Sequence, residues 1–234
     1  MCGITGIFNY QTAQEVNTEL LSGMCDSIAH RGPDEEGFFT DQETGVALAH
    51  KRLSIIDIKT GKQPMSNVDE TIWIAFNGEI YNFPELKNEL RGKGYSFRTT
   101  SDTEVIIYMY EEYGEESFAR LNGIFASAIY DKRKKCVILA RDHFGVKPLY
   151  YTFANGSLFF GSEMKAILQV PFLKKELDYA AFNSFLTFRY NPSPQTLFKG
   201  IKKLQPGHYL QVTTKGNVKL KSFWNYIPKT NNHI

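Results

Sequence analysis

The sequence has no apolar stretch near the roughly 20 residues that a membrane-spanning helix requires. Its first 25 residues also lack the basic segment followed by an apolar one that is typical of a secretory signal. The three cysteines, Cys2, Cys25 and Cys136, are an odd number and too few for a secreted disulfide framework. These absences predict a cytoplasmic protein without membrane association, in which Cys25 and Cys136 serve packing.

Net charge is also nearly absent, since 27 Lys and Arg face 25 Asp and Glu, for a formal charge of +2. This balance gives no electrostatic reason to expect a nucleic-acid partner. The 234 residues, 42% hydrophobic and 22% charged, have an ordinary globular composition. No internal repeat or linker rich in Gly, Ser or Pro divides the first 225 residues, so we expect one domain over 1–225. Residues 226–234 are then a tail or the start of a linker.

Hydrophobic periodicity indicates strands mixed with helices. The run Cys2–Phe8 is apolar on both faces, which is typical of a strand buried on both sides. Apolar residues at every fourth position predict a helix over 17–29. Asn77-Gly78 is a strong turn signal and is expected to end a strand. Further strands are predicted at 37–40, 46–52, 71–76, 124–130, 136–141, 149–154, 157–162, 208–213 and 218–224.

Capping signals place the remaining helices. Asn82 with Glu85 predicts the start of a short helix that ends near Gly92, and Ser101 with Glu104 forms a capping-box pattern for a helix over 102–113. Helical segments are also expected at 163–169 and 178–188. Hairpins at 124–141 and 149–162, mixed with these helices, predict antiparallel sheets covered by helices.

Cys2 carries a chemical possibility of its own. Removal of Met1 leaves a thiol and a free α-amine on one residue, which is a nucleophile with its own base. Ordinary thiols have a pKa of about 8.5 and α-amines about 7.7 to 8.0, so the proton passes locally near neutral pH. Gly3, which has no side chain, is expected to give a substrate carbonyl access to the Cys2 backbone.

Five further segments accompany the opening Met1–Phe8, in a fixed order. With them the whole chain resembles class II glutamine amidotransferases, whose amino-terminal cysteine is the nucleophile of an Ntn-hydrolase fold. The Gly-Pro-Asp at 32–34 and the Asn-Gly-Glu-Ile-Tyr-Asn at 77–82 are similar to glutamine-hydrolysing asparagine synthetases in particular. The five segments are His30–Asp34, Arg52–Asp57, Asn77–Asn82, Ser101–Glu104 and Arg141–Tyr150.

The resemblance implies an α+β fold, a four-layer αββα sandwich of two mainly antiparallel sheets. It also implies that Cys2 attacks the side-chain amide of glutamine and forms a glutamyl thioester, with the Asn77 side chain and the Gly78 backbone N–H as oxyanion donors. Arg52 would bind the α-carboxylate of L-glutamine and Asp102 its α-ammonium. The same resemblance adds Glu79 and backbone groups near Ile56 and Gly78 to the substrate contacts.

Histidines receive no metal-binding role, because their spacing with Cys and carboxylates matches no ligand pattern. The segment with His30, Arg31 and Asp34 is expected to shape the loop around the pocket, with Arg31 paired to an acid. A second enzyme hypothesis is a Cys-His hydrolase of another amide, with Cys2 and either His30 or His50 as the dyad. Residues 141–150 are expected to be structural support between the hairpins.

The synthetase half of asparagine synthetases carries a Ser-Gly-Gly-x-Asp pyrophosphate loop, and this sequence has no such motif and no P-loop. We therefore expect no cofactor in this chain, with ATP and Mg²⁺ confined to a synthetase domain or subunit elsewhere. The chain is expected to be the front part of a longer enzyme, and a separately encoded synthetase is the alternative.

The ammonia acceptor is expected to be aspartate. Similar amino-terminal halves occur in enzymes that amidate other carboxylates, including sugars, so an amidotransferase subunit for another acceptor is an alternative. A glutamine-binding regulatory module without turnover is a third hypothesis, and a homodimer is left open.

Overall fold

A computed structural model describes residues 1–12, 14–54 and 60–226. Twelve strands within these residues form two six-stranded sheets in which every pairing is antiparallel. The strands of the first sheet are β1 (Gly3–Phe8), β2 (Glu35–Asp41), β3 (Val46–Arg52), β8 (Tyr150–Ala154), β9 (Ser157–Gly161) and β10 (Lys202–Lys203). Their order is β10-β8-β9-β1-β3-β2, so β1 lies inside the sheet between β9 and β3.

The second sheet has the order β12-β11-β7-β6-β5-β4. Its strands are β4 (Met65–Ser66), β5 (Ile72–Ile80), β6 (Gly123–Asp131), β7 (Cys136–Arg141), β11 (His208–Thr213) and β12 (Val218–Ser222). The predicted hairpins are confirmed, because β6 pairs with β7 and β8 pairs with β9. The predicted bounds of β3, β7 and β11 match the structure end to end.

Five α-helices and two 3₁₀ helices accompany the sheets in the described part of the chain. The α-helices are α1 (Thr18–Asp26), α2 (Phe83–Gly92), α3 (Asp102–Tyr113), α4 (Met164–Ile167) and α5 (Tyr179–Phe188), and the 3₁₀ helices are Ala29–Arg31 and Gly114–Arg120. None of these described helices is long and apolar enough to cross a membrane.

Three separate apolar clusters show how the layers stack. The middle cluster joins the inner faces of both sheets, and includes Ile4, Leu48 and Ala75. A second cluster packs α1 and α4 on the outer face of the first sheet, and a third packs α2 and α3 on the outer face of the second sheet. The α+β prediction of a four-layer αββα sandwich is therefore confirmed.

The prediction that Asn77-Gly78 ends a strand is wrong, because β5 runs through both residues to Ile80. Pairing with β6 continues over the whole of β5, from Ile72 opposite Asp131 to Ile80 opposite Gly123. Nine residues of cross-strand hydrogen bonding and burial outweigh a two-residue turn preference.

Two helix predictions also need correction. The helix expected over 17–29 ends at Asp26, where the Ser27 hydroxyl bonds back to the Met24 carbonyl, and a 3₁₀ turn follows. Asn82 precedes α2 but its side chain does not cap it. Its amide instead accepts from the Asn122 N–H and donates to the Arg120 carbonyl, which ties the start of α2 to the β6 entry.

The capping box before α3 is confirmed in part. The Ser101 hydroxyl accepts from the Thr103 N–H, as an N-cap does. The buried carboxylate of Glu104 accepts instead from the backbone N–H groups of Arg98 and Thr99, which fixes the chain that leads into the helix.

Candidate active site

A pocket opens where the two residues before β1, the end of β3, the second half of β5 and the start of α3 meet. Six residues that the sequence singled out line it together, although they lie up to 100 positions apart in the chain. They are Cys2, Arg52, Asn77, Gly78, Glu79 and Asp102. Ile56, the remaining predicted contact, lies outside the described residues.

Strand periodicity explains why side chains from both sheets face each other here. On β1, Ile4 and Phe8 point to the middle cluster, so Cys2 continues the same inner face. On β3, Val46 and Leu48 define that face, and Arg52 follows at the same parity. The β1–β3 register pairs Gly3 with Lys51, and one further step sets Cys2 opposite Arg52.

The Cys2 thiol is partly buried and contacts the backbone of Leu53. Its Sγ donates to the Leu53 carbonyl at 3.6 Å and accepts from the Leu53 N–H at 3.4 Å. The backbone of Cys2 is fixed from another direction, because Arg31 Nε donates to the Cys2 carbonyl at 2.9 Å. These contacts fix the candidate nucleophile immediately before the buried strand β1.

Arg31 pairs with an acid, as predicted. Its Nη1 donates to Glu163 at 3.0 Å, and this carboxylate also accepts from His30 at 2.8 Å. Hydrogen bonds from Arg31, His30 and Lys165 hold the pKa of Glu163 below its usual value despite partial burial, which raises it. Asp34 accepts from the Ser54 N–H at 2.8 Å, so this segment does shape the loop that follows β3.

Gly3 lies at a close contact, and its expected role in substrate access stays a prediction. A Cβ atom at position 3 would lie 2.9 Å from Ile28 Cδ1 and 3.2 Å from Arg31 Cδ, so the glycine serves close packing against the 3₁₀ turn. Gly3 thereby allows Arg31 to approach the Cys2 carbonyl.

One edge of β5 bonds to β6 and the other faces the pocket. Because backbone groups alternate between the two edges along a strand, the bonds to β6 show which N–H groups point to the pocket. Odd-numbered residues bond to β6, as the Thr71 carbonyl does with Lys132 and the Tyr81 N–H with Asn122. Even-numbered residues face the other way. The Ile80 N–H donates to Asp102 at 3.0 Å on that side. The Gly78 N–H therefore points to the same edge, into the pocket that Gly78 lines.

The side chain of Asn77 has a buried hydrogen-bond donor that is not satisfied within the described residues. This side chain lies on the inner face of the second sheet, at the parity of Trp73 and Ala75. The residue is 1% exposed, and its amide Nδ2 has no hydrogen-bond partner among the described residues. Buried amide donors are nearly always bonded, because an unsatisfied one costs about 1–3 kcal/mol. A donor left in this condition beside a thiol is suited to a developing oxyanion.

The guanidinium of Arg52 is buried and is held by a neighbouring carboxylate. Nη1 donates to Glu35 at 2.8 Å, and this bond is the main reason that the pKa of Glu35 lies below its usual value. Glu35 and Arg52 also pair across β2 and β3, so the strand register holds both side chains in place. An arginine oriented in this way is suited to bidentate binding of a carboxylate.

Asp102 opens α3, and its carboxylate lies in the pocket next to the end of β5, where it accepts from the Ile80 N–H. Burial raises its pKa above the usual value, and the nearby carboxylate of Glu79 raises it further. An ammonium ion bound between these two carboxylates would offset both effects. The electrostatics of this part of the pocket thus favour a cation.

Four polar side chains in the lining were missed by sequence reasoning: Gln63, Ser101, Thr103 and Lys147. Lys147 lies within the segment 141–150, which we expected to be structural support only. Its Nζ lies 3.1 Å from Met1 Sδ at the pocket. Arg141 does act as support, with donors to the carbonyls of Lys147 and Leu204, each at 2.7 Å. No local signal distinguishes Gln63 or Lys147, because chain segments distant in sequence bring them to the pocket.

The described structure gives the Cys-His hypothesis no geometric support. His50 Nε2 contacts the Phe76 carbonyl and His30 Nε2 contacts Glu163, so neither ring bonds to Cys2 Sγ. Burial lowers the pKa of His50 to about 4, so this ring is neutral. Among the described residues, no three His, Cys, Asp or Glu side chains cluster closely enough to hold a metal ion.

The other two cysteines differ from Cys2 as expected. Cys25 and Cys136 are fully buried, and burial raises the pKa of Cys25 to about 12 and that of Cys136 to about 11. Both thiols therefore stay protonated and serve packing.

Comparison with known families agrees with the geometry. Residues 1–224 match the family model described as the glutamine amidotransferase domain. The chain belongs to this family. It is 43% identical over 228 residues to asparagine synthetase [glutamine-hydrolyzing] 1 of Bacillus subtilis, with 96% of this chain and 35% of that protein covered. Asparagine synthetase B of Escherichia coli is 41% identical over 184 residues, which cover 78% of this chain and 32% of that protein.

This glutamine amidotransferase domain thus spans about a third of the length of these two relatives. Among solved structures, it is similar to the glutamine phosphoribosylpyrophosphate amidotransferase of B. subtilis. The match has a TM-score of 0.67 at 21% identity and covers 97% of this chain and 50% of that one. At this identity the likeness concerns the fold alone, a sandwich of two antiparallel sheets covered by helices.

Proposed function

We propose that this amidotransferase domain hydrolyses glutamine through Cys2. With Met1 removed, the α-amine takes the thiol proton and Sγ attacks the side-chain amide carbon of glutamine. The C–N bond then breaks, the amine returns the proton to the leaving nitrogen, and ammonia departs from a glutamyl thioester. Water hydrolyses the thioester to glutamate, so one glutamine and one water give one glutamate and one ammonia.

The observation that carries this proposal is the Asn77 amide Nδ2, which has no partner among the described residues and belongs to the same pocket lining as Cys2. Attack on an amide carbonyl places negative charge on its oxygen, and two donors at the pocket edge suit that charge. These donors are the Asn77 Nδ2 and the Gly78 N–H. Donors fixed before the reaction stabilise the oxyanion without reorganisation, and each is worth about 10²–10³ in rate.

The rest of the pocket fits the ends of an amino acid. Arg52, oriented by Glu35, would bind the α-carboxylate. Asp102 and Glu79 would bind the α-ammonium, whose charge offsets the repulsion between them. The backbone near Ile56, which lies outside the described residues, remains part of the proposed contact set. With the α-carboxylate held by Arg52 and the α-ammonium held by Asp102 and Glu79, the distance from these groups to Cys2 Sγ would set the length of amino-acid side chain that can react.

We further propose that the ammonia is used in an ATP-dependent amidation of aspartate to asparagine. Support comes from the two asparagine synthetases that are 43% and 41% identical to this domain over their aligned residues. ATP and Mg²⁺ would then bind to a synthetase domain or subunit beyond residue 225, with 226–234 as the start of the connection. The proposed location is the cytoplasm.

The test is glutamate release from glutamine by protein whose intact mass shows that Met1 is gone. A Cys2→Ala variant, with unchanged thermal unfolding, is the control. Release that disappears in the variant supports the proposal. Calorimetric binding of glutamine without release would favour a regulatory glutamine-binding module, and release that persists in Cys2→Ala would exclude Cys2 as the nucleophile.

The acceptor needs a separate measurement, made on the longest natural chain that contains this domain. Formation of asparagine from aspartate, glutamine and MgATP is expected. Amide formation on a sugar carboxylate in its place would support the alternative acceptor and leave the glutaminase proposal intact.

A further inference from the structure

Phe76, next to the proposed oxyanion donors, has both of its backbone polar groups held by side chains. Its N–H donates to Gln63 Oε1 at 2.6 Å, and its carbonyl accepts from His50 Nε2 at 3.0 Å. A residue in the interior of a sheet normally pairs with two neighbouring strands. Phe76 lacks one of them, because β4 reaches only Ile74 of β5.

The two side chains come from different parts of the fold and are themselves fixed. Gln63 lies just before β4, and its Nε2 donates to Thr103 Oγ1 at 3.3 Å, in the first turn of α3. His50 is fully buried on the inner face of β3, in the other sheet. We call this pair of contacts the Phe76 backbone clamp, formed by Gln63 and His50.

The protonation state of His50 follows from its partner. A carbonyl oxygen only accepts, so Nε2 must carry the ring proton, and Nδ1 has no partner within the described part of the chain. The neutral ring therefore donates one hydrogen bond, in one direction, across the space between the sheets. Burying an imidazole with one nitrogen unsatisfied lowers the stability of the fold. A gain in activity, from holding β5 in place, would explain why the residue stands there.

The clamp links the two sides of the proposed reaction. Cys2 lies at the start of β1 and the oxyanion donors Asn77 and Gly78 lie on β5. The two strands belong to different sheets. His50 joins these sheets one residue before Asn77, since it pairs with Ile4 of β1 and bonds to Phe76 of β5. Gln63 holds the same point of β5 against α3.

We propose that Gln63 and His50 are positioning residues that fix the oxyanion donors of β5 relative to Cys2. This inference rests on the proposed glutaminase function. Preorganised sites need about 0.5 Å precision, and among the described residues β5 has no edge strand beyond Ile74 to supply it. Loss of either contact should lower kcat, because the oxyanion forms only during the reaction, and should leave KM for glutamine nearly unchanged.

The variants are Gln63→Met, which keeps the volume and removes the acceptor, and His50→Phe, which keeps the ring and removes the donor. We expect kcat to fall about 10- to 10²-fold in each, with KM within about 3-fold. His50→Gln, whose amide can donate from a similar position, should restore most of the rate. Gln211→Met and His208→Phe remove comparable side-chain contacts far from the pocket, and should keep the wild-type kcat.

Amide hydrogen exchange at Phe76 and Asn77 gives a readout that does not depend on activity, because the Phe76 N–H bonds to Gln63 and the Asn77 N–H bonds to β6. Exchange at both positions should be faster in Gln63→Met than in wild type, with the remainder of β6 and β7 unchanged. Unchanged kcat in both variants, or a loss of kcat equal to the loss in the control variants, would overturn the proposal. If His50→Phe fails to fold, Gln63→Met and His50→Gln still decide it.

The same readout separates this proposal from the glutaminase proposal. If processed wild-type protein releases no glutamate, the proposed function fails and the clamp is judged by exchange alone. Faster exchange at Phe76 and Asn77 then supports the clamp, and unchanged exchange overturns it.

Discussion

The two ends of the space between the sheets differ in polarity, although the same strands build both. Along the inner faces, one end holds apolar side chains such as Phe8 and Leu48, in the middle cluster. At the other end the same alternate positions carry Cys2, Arg52 and Asn77. We call these the apolar end and the polar end.

The contrast teaches how one pattern serves stability and chemistry together. Burial at the apolar end stabilises the sandwich, whereas the polar end contains a donor without a partner, a buried arginine and a carboxylate with a raised pKa. Each of these buried polar groups lowers the free energy of unfolding, and such destabilising groups are common at functional sites. The comparison predicts that changes at the polar end affect activity and changes at the apolar end affect folding.

The largest effect is expected from retention of Met1. A peptide bond at the Cys2 nitrogen removes the basic amine, so glutamate release should fall about 10²- to 10⁴-fold, the usual value of a general base. The measurement compares two preparations of known intact mass, with and without Met1. Equal rates in the two would mean that the amine is not the base and would reopen the Cys-His hypothesis.

Asn77→Ala should lower kcat about 10²- to 10³-fold, since one oxyanion donor is lost. Its thermal unfolding should not worsen through Nδ2, because that atom has no internal hydrogen bond to lose. Asn217→Ala, in the exposed turn before β12, is the matched control and should change neither property. If Asn77→Ala lost stability and kept its kcat, the prediction that changes at the polar end affect activity would be wrong.

Leu48→Ala tests the apolar end. The side chain is fully buried in the middle cluster, so its truncation should lower the free energy of unfolding by about 3 kcal/mol. Denaturant unfolding gives this value, and kcat per folded molecule should remain within about 3-fold of wild type. A large loss of kcat at full folding would show that the two ends are not separable.

Arg52→Lys should raise KM for glutamine about 10-fold with a smaller effect on kcat. Lysine keeps the charge but loses the planar fork that binds a carboxylate and Glu35 together. Arg133→Lys, at an exposed position in the β6–β7 turn, is the matched control. An unchanged KM in Arg52→Lys would remove this residue from the carboxylate-binding role.

The smallest predicted effect is a pH dependence of glutamine binding. Because burial and Glu79 raise the pKa of Asp102, its carboxylate is protonated at higher pH than an ordinary aspartate as the pH falls. A neutral Asp102 attracts the α-ammonium less, so KM should rise several-fold in that acid range. Asp102→Asn should show a higher KM that no longer varies there, and a pH profile identical to wild type would contradict the assignment.

Much of the fold could be read from local pattern. Alternation and capping residues located β3, β7, β11 and the start of α3, because these depend on neighbours within one element. The reading failed at Asn77-Gly78, where a local turn preference competes with β6, some 50 residues away. A Cβ at Gly78 would lie 2.2 Å from the Ile124 carbonyl, so this glycine serves strand packing and not a turn.

The sequence by itself determined which chemical groups this domain has: a thiol that can gain its own amine, an amide, an arginine and an aspartate in ordered segments. Only the tertiary structure decided that β4 stops before Phe76, that the open edge of β5 faces Cys2, and that Gln63, His50 and Lys147 lie where they do. The reason is physical. Residue type fixes what a group can donate or accept, whereas strand register and the packing of two sheets fix which groups meet.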